Sequence, residues 1–288
     1  MHEGDWPTLD AAEAAIQQAL ARTERRPFVL GLCGAQGSGK STLANGLATR
    51  LGASGIETAV LSIDDLYMTR AAREMLGRDI HPLLRTRGVP GTHDVFLGLD
   101  AIAALDRGEA AELPRFDKSR DDRVPRSEWS TADAGTDVVI LEGWCVGARP
   151  EEPSALLEPV NALERDEDPQ AVWRTYVNQA LAGDYQALFA RLDYLIILAA
   201  PGFDIVRAWR IEQEHALRDY VGASAPGVMT DAQIGRFIQH YERLTRHILA
   251  EMPERADLTI QLAENRAPVS VSSREPLQGG DIPETQEN

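Results

Sequence analysis

Pro27-Phe28-Val29-Leu30-Gly31-Leu32-Cys33-Gly34-Ala35-Gln36-Gly37-Ser38-Gly39-Lys40-Ser41-Thr42 decides the fold of this 288-residue chain. The run from Pro27 to Cys33 is apolar and of strand length, as a strand buried on both faces requires. From Gly34 to Ser41 the residues spell G-x-x-x-x-G-K-[ST], the phosphate-binding loop. Beyond it Leu43, Leu47 and Leu51 recur at helical spacing, so the loop joins a strand to a helix, the context that confirms the motif. Its glycines let backbone N–H groups turn inward, and the helix N-terminus adds partial positive charge, which suits phosphates. Gly34, Gln36, Gly37, Ser38, Gly39, Lys40, Ser41 and Thr42 are therefore the expected nucleotide contacts. Lys40 is to reach the β- and γ-phosphates and the Ser41 hydroxyl to ligate Mg²⁺, so ATP and Mg²⁺ are the predicted cofactors.

Lys40 is one of only two lysines among 29 basic residues, the other being Lys118. A chain that uses arginine wherever charge alone suffices keeps lysine where a compact ammonium on a flexible stem is needed. The net charge of −16 argues against a nucleic-acid or membrane-surface partner, which would want a basic face. Cations nevertheless gather between Arg70 and Arg126, and beside a phosphate loop such a stretch predicts a site for a small anionic acceptor. Cys33 and Cys145 each end an apolar run and read as core residues in a reducing compartment, and six scattered histidines offer no metal spacing. With no signal pattern and no apolar run of membrane-spanning length, cytoplasm is the default expectation. Nothing in the sequence sets an oligomeric state.

Further strands are predicted at 58–63, 137–142, 194–199 and 258–262, nearly continuous in apolar residues and separated by helix-like stretches. The expected fold is thus α/β, a doubly wound five-stranded parallel sheet with ligands outside the carboxyl ends of its strands. Leu9, Ala12, Ile16 and Leu20 predict an N-terminal amphipathic helix within residues 1–27, ahead of a single domain at 28–265 with a helical lid at about 204–251. Two helical stretches near 204–221 and 230–251 flank a turn at 222–227. Arg207, Arg210 and Arg218 make the first of them either a lid over the phosphoryl group or a solvated face, with Arg210 the catalytic candidate. Residues 266–288, rich in Pro, Ser, Gly and Glu, read as a flexible tail.

The strand tip Ser62-Ile63-Asp64-Asp65-Leu66-Tyr67 offers paired carboxylates beside the phosphate loop. Asp64 is assigned to proton removal from an attacking hydroxyl and to metal, while Asp65 stays divided between capping a helix and metal. Glu142, ending the next apolar run, occupies the Walker B position for Mg²⁺. Arg85-Thr86-Arg87-Gly88-Val89-Pro90-Gly91-Thr92-His93-Asp94 has no helix or strand period and reads as an ordered loop. Together with Pro114-Arg115-Phe116-Asp117-Lys118-Ser119 and Arg123 it supplies guanidinium groups whose fork matches a carboxylate. Asp65, Tyr67, Arg85, Arg87, His93, Asp94, Arg115, Lys118 and Arg123 are the candidate acceptor contacts.

In consistent order over roughly residues 28 to 266, these motifs resemble the D-glycerate 3-kinases of the P-loop kinase superfamily, as does Trp209-Arg210-Ile211-Glu212-Gln213-Glu214. More distantly the layout is similar to uridine kinase, pantothenate kinase and phosphoribulokinase. The resemblance implies Asp64 as general base, the loop from Arg87 to Asp94 in the acceptor site, and transfer of the ATP γ-phosphoryl group to the 3-hydroxyl of D-glycerate. A kinase for another small alcohol (nucleoside, pantothenate or sugar phosphate) is one alternative, and an ATP-binding module without phosphotransfer is another. The adenine is expected near Asn265 and Arg266. The acidic stretch 158–170 matches no function.

Overall fold

The computed structural model describes residues 6–221 and 229–274. Helix α1 (Pro7–Leu20) starts with proline at its first turn, where a missing N–H costs nothing, and buries Leu9, Ala12, Ala15, Ile16 and Leu20. Strand β1 (Phe28–Gly34) is buried at every position and runs into the phosphate loop, after which α2 (Lys40–Ala53) buries Leu43, Leu47 and Leu51. Both predictions of local structure around the motif hold. Strand β2 (Thr58–Ser62) ends in a 3-10 turn at Ile63–Leu66. Helices α3 (Arg70–Asp79) and α4 (Val95–Asp106) flank the segment expected as an ordered loop, which a second 3-10 turn, Pro82–Arg85, leads into.

Residues 111–132 hold short strands that sequence period did not reveal. Strand β3 (Ala111–Leu113) pairs with β6 (Ser130–Ala132), and β4 (Phe116–Asp117) pairs with β5 (Asp122–Arg123), both antiparallel. Strand β7 (Val138–Gly143) follows, then α5 (Ala162–Glu167), α6 (Val172–Ala182) and α7 (Asp184–Phe189), then β8 (Tyr194–Ala199). Helices α8 (Phe203–Val221) and α9 (Asp231–Glu251) precede β9 (Leu258–Leu262) and β10 (Pro268–Ser273).

The main sheet has the order β10-β9-β8-β1-β7-β2. Five of its strands are parallel, as expected, and β1 and β7 are buried throughout, so helices cover both faces. The sixth strand corrects the tail expected at 266–288: residues 268–273 form β10, antiparallel to β9. Residues 275–288 and the turn expected at 222–227 lie outside the described residues. The helices expected as one lid are also more embedded than that word implies. Helix α9, capped by Thr230 and Gln233 in a capping box, buries Ile234, Ile238, Tyr241, Leu244 and Ile248 along one face. Among the described residues no helix is long and apolar enough to cross a membrane.

The acidic stretch 158–170 is structural in large part. Glu164 is fully buried and accepts from Arg243 at 2.8 and 2.7 Å, and Asp168 is paired with buried Arg174 at 3.0 Å.

Candidate active site

Register brings the chemistry to one edge of the sheet. Leu32 pairs with Glu142 and Glu142 with Ser62, so the phosphate loop, the Glu142 strand end and Asp64 all leave the carboxyl ends of adjacent strands β1, β7 and β2. In the loop, Gly37 and Gly39 have φ of +81° and +89°, the left-handed region that glycine enters without strain. Gly37 also lies so close to α8 that a Cβ there would come within 2.6 Å of the Trp209 Cβ. Lys40 opens α2, next to the loop's amides.

The Ser41 hydroxyl donates to Glu142 Oε1 at 3.1 Å, while Glu142 Oε2 is buried with no partner. A buried carboxylate oxygen left open beside a serine hydroxyl suits a hard cation that takes its remaining ligands from phosphates and water. Among the described residues no three His, Cys, Asp or Glu side chains gather into a protein-only metal cage. Ser41 and Glu142 thus fit Mg²⁺ in the manner of phosphate-handling sites.

Asp64 has both oxygens engaged. Tyr67 donates to Oδ1 at 2.6 Å and the Lys118 ammonium to Oδ2 at 2.6 Å. Burial pushes this carboxyl up, but the Lys118 and Lys40 charges outweigh burial and hold it well below the usual carboxylate range. The neighbouring Asp65 turns away from that chemistry. It accepts from the Phe116 N–H at 3.0 Å and from Arg115 at 3.1 Å, and so pins the hairpin that carries Lys118.

The acceptor loop is held from several sides. Met68 N–H donates to Thr92 O at 2.9 Å and Asp94 N–H to Leu66 O at 2.7 Å, which seats the loop beside the Asp64 segment. Tyr241 donates to Arg87 O at 3.0 Å and Trp144 Nε1 to Gly88 O at 2.8 Å. Gly88, with φ +122°, admits no side chain, since a Cβ would fall 2.1 Å from the Tyr241 hydroxyl. His93 stacks on Tyr67 at 4.8 Å, and its Nδ1 lies 2.5 Å from the Tyr185 hydroxyl, which also accepts from Gly91 N–H. Satisfying both contacts leaves the tyrosine hydrogen for Nδ1 and the imidazole proton on Nε2. Burial lowers the His93 pKa to about 4, so the ring is neutral near pH 7.

The predicted arginines do not converge as free charges. Arg87 shares Asp121 with buried Arg73 and lies over the Phe116 ring, and Arg85 pairs with Glu74 of α3 at 3.1 Å. Arg123 donates to Tyr67 O at 3.0 Å and to Asp94 at 3.3 Å, with its buried Nε unpartnered. Arg210 is bonded to buried Glu214 at 2.8 Å. Asp64, Tyr67, His93, Asp94, Lys118 and Arg123 therefore form one connected cluster, with Arg87 beside it across Phe116, whereas Arg85 is tied to α3. Sequence reasoning missed Tyr185, Tyr241 and Asp121, which lack any motif signal because they reach the loop from distant elements.

The phosphoribulokinase/uridine kinase family model matches residues 29–148. An uncharacterized kinase of Schizosaccharomyces pombe is 35% identical over 263 residues, covering 86% of this chain and 92% of that relative. The chain belongs to the phosphoribulokinase/uridine kinase family of P-loop kinases. It is also similar to the chloroplastic D-glycerate 3-kinase of Arabidopsis thaliana, 29% identical over 258 residues, covering 84% of this chain and 54% of that longer protein. A D-glycerate 3-kinase structure from Cryptococcus neoformans matches with a TM-score of 0.78 at 26% identity, covering 93% of this chain and 100% of that one.

Proposed function

We propose that the protein transfers the γ-phosphoryl group of ATP to the 3-hydroxyl of D-glycerate, giving 3-phosphoglycerate and ADP. The observation that carries this reading is the Asp64 carboxylate, gripped by Lys118 and Tyr67 at the strand tip beside the phosphate loop. The loop amides and Lys40 hold the triphosphate. Ser41 and Glu142, with Asp64 just beyond the neighbouring strand, would hold the metal, and a bound Mg²⁺ would supply neutralisation of phosphate charge. Asp64 takes the proton of the attacking hydroxyl. Lys118, its side chain 58% exposed on a flexible stem, is the cation free to turn from Asp64 to the acceptor carboxylate. Arg123, bonded to Tyr67 O and to Asp94, stands beside the tyrosine that holds Asp64, which favours a small anionic alcohol over a nucleoside. Similarity to two D-glycerate 3-kinases supports glycerate as that alcohol. The two cysteines, buried and not joined in a disulfide, accord with a cytoplasmic setting.

The test is ADP release measured with D-glycerate, L-glycerate, uridine, pantothenate and sugar phosphates offered in turn. D-glycerate should give the highest kcat/KM. Equal or greater turnover with a nucleoside or pantothenate refutes the assignment, and ATP hydrolysis that no acceptor accelerates refutes phosphotransfer itself.

A further inference from the structure

The hairpin of β9 and β10 places one side chain against two elements at once, the phosphate loop and α8. Arg266 sits at its turn with φ +69°, a left-handed backbone unusual for a residue with a side chain. Its Nε donates to the Gly37 carbonyl at 2.7 Å, and its two terminal nitrogens reach the Glu212 carboxylate on α8 at 2.7 and 3.3 Å. The guanidinium lies over the Trp209 ring, 5.2 Å from its centroid, while Trp209 Nε1 donates to Glu264 O at 2.6 Å. The same Trp209 closes on Gly37 from the α8 side.

Gly37 O and Ser38 N–H belong to one peptide plane. The N–H end donates to Ala35 O at 3.1 Å, and the carbonyl end is taken by Arg266. The plane is thus fixed at both ends between two left-handed glycines, Gly37 and Gly39, where the backbone is otherwise the most free to rotate. A phosphate nest works only while its peptide planes hold their amides in place. We propose that Arg266 is a positioning residue for the phosphate loop: by pinning the Gly37–Ser38 peptide and joining it to α8, it sets the affinity for nucleotide. The proposal rests on the nucleotide-binding part of the reading above and is independent of which alcohol is the acceptor.

Arg266→Gly is the decisive variant, because glycine accepts φ +69° without strain and removes only the side chain. In the full chain, binding of Mg·ATP and of ADP is measured by calorimetry, with thermal unfolding recorded alongside. Loss of a charge-assisted bond to the carbonyl should weaken nucleotide about tenfold or more at an unchanged melting temperature. In the ADP-release assay the KM for ATP should rise and that of the acceptor stay within about twofold. Nucleotide affinity within about twofold of wild type, or equal rises in both KM values, overturns the inference. A wild-type chain that takes up no Mg·ATP would sink the kinase reading and this inference together, whereas a variant that binds like wild type sinks this inference alone.

Discussion

The most quantitative consequence of the structure lies in the pair Glu164–Arg243, away from the cleft. Arg243 donates to both Glu164 oxygens, at 2.8 and 2.7 Å, and to the carbonyls of Ala155 and Glu158 at 2.9 and 2.6 Å. Glu164 is fully buried and Arg243 nearly so. Glu164→Ala removes two charge-assisted bonds, each worth about 1.5–3 kcal/mol, while the two carbonyls and Glu151 at 3.5 Å still hold the guanidinium. The expected loss is therefore about 3–5 kcal/mol, the range seen when one partner of a buried pair is removed. Replacing both partners by apolar residues, Glu164→Leu with Arg243→Met, removes both buried charges of the pair, though it frees Glu151 and the Ala155 and Glu158 carbonyls, and should cost less than the sum of the two single losses. Urea unfolding at pH 7, followed by circular dichroism at constant m, measures Glu164→Ala and, as a double-mutant cycle, Glu164→Leu, Arg243→Met and the two combined. A loss under about 1 kcal/mol for Glu164→Ala, or strict additivity in the cycle, would refute the reasoning.

Two further predictions concern catalysis and pH. Asp64→Asn keeps the shape of the side chain but not its basicity, so kcat should fall by about 10²–10⁴ while ATP affinity changes little; unchanged turnover would end the general-base assignment. Burial lowers both His93 and His240 from 6.5 to about 4. Between those pH values the unfolded chain binds more protons than the folded one, so stability is full above about 6.5 and is lost as pH falls towards 4, by about 3 kcal/mol per histidine. Urea midpoints taken from pH 7 to pH 5 should fall, and His240→Gln should flatten the slope; a slope identical in wild type and variant contradicts this.

The parallel sheet was legible because its strands are buried on both faces and must therefore be apolar throughout, and because Gly34 to Ser41 carries its own context. Strand β10 was not legible: half of Pro-Val-Ser-Val-Ser-Ser is serine, and it lies at the sheet edge with β9 as its one strand partner. The acidic stretch 158–170 matched no function because the partner of Glu164, Arg243, stands far away on α9. The arginines near the cleft were read as a pool of positive charge, since sequence shows the cations but not that Asp121, Glu74 and Glu214 face them. Asp64 and Glu142 could be located because strand tips beside a phosphate loop are fixed by topology, whereas Tyr185 and Tyr241 are brought in by packing that no local pattern announces.

Tyr241 and Trp144 hold the loop bearing Arg87 and Gly88, and both are buried in the main hydrophobic core. A wall fastened in this way is already shaped before either reactant arrives. Any small molecule seated against it meets a standing template.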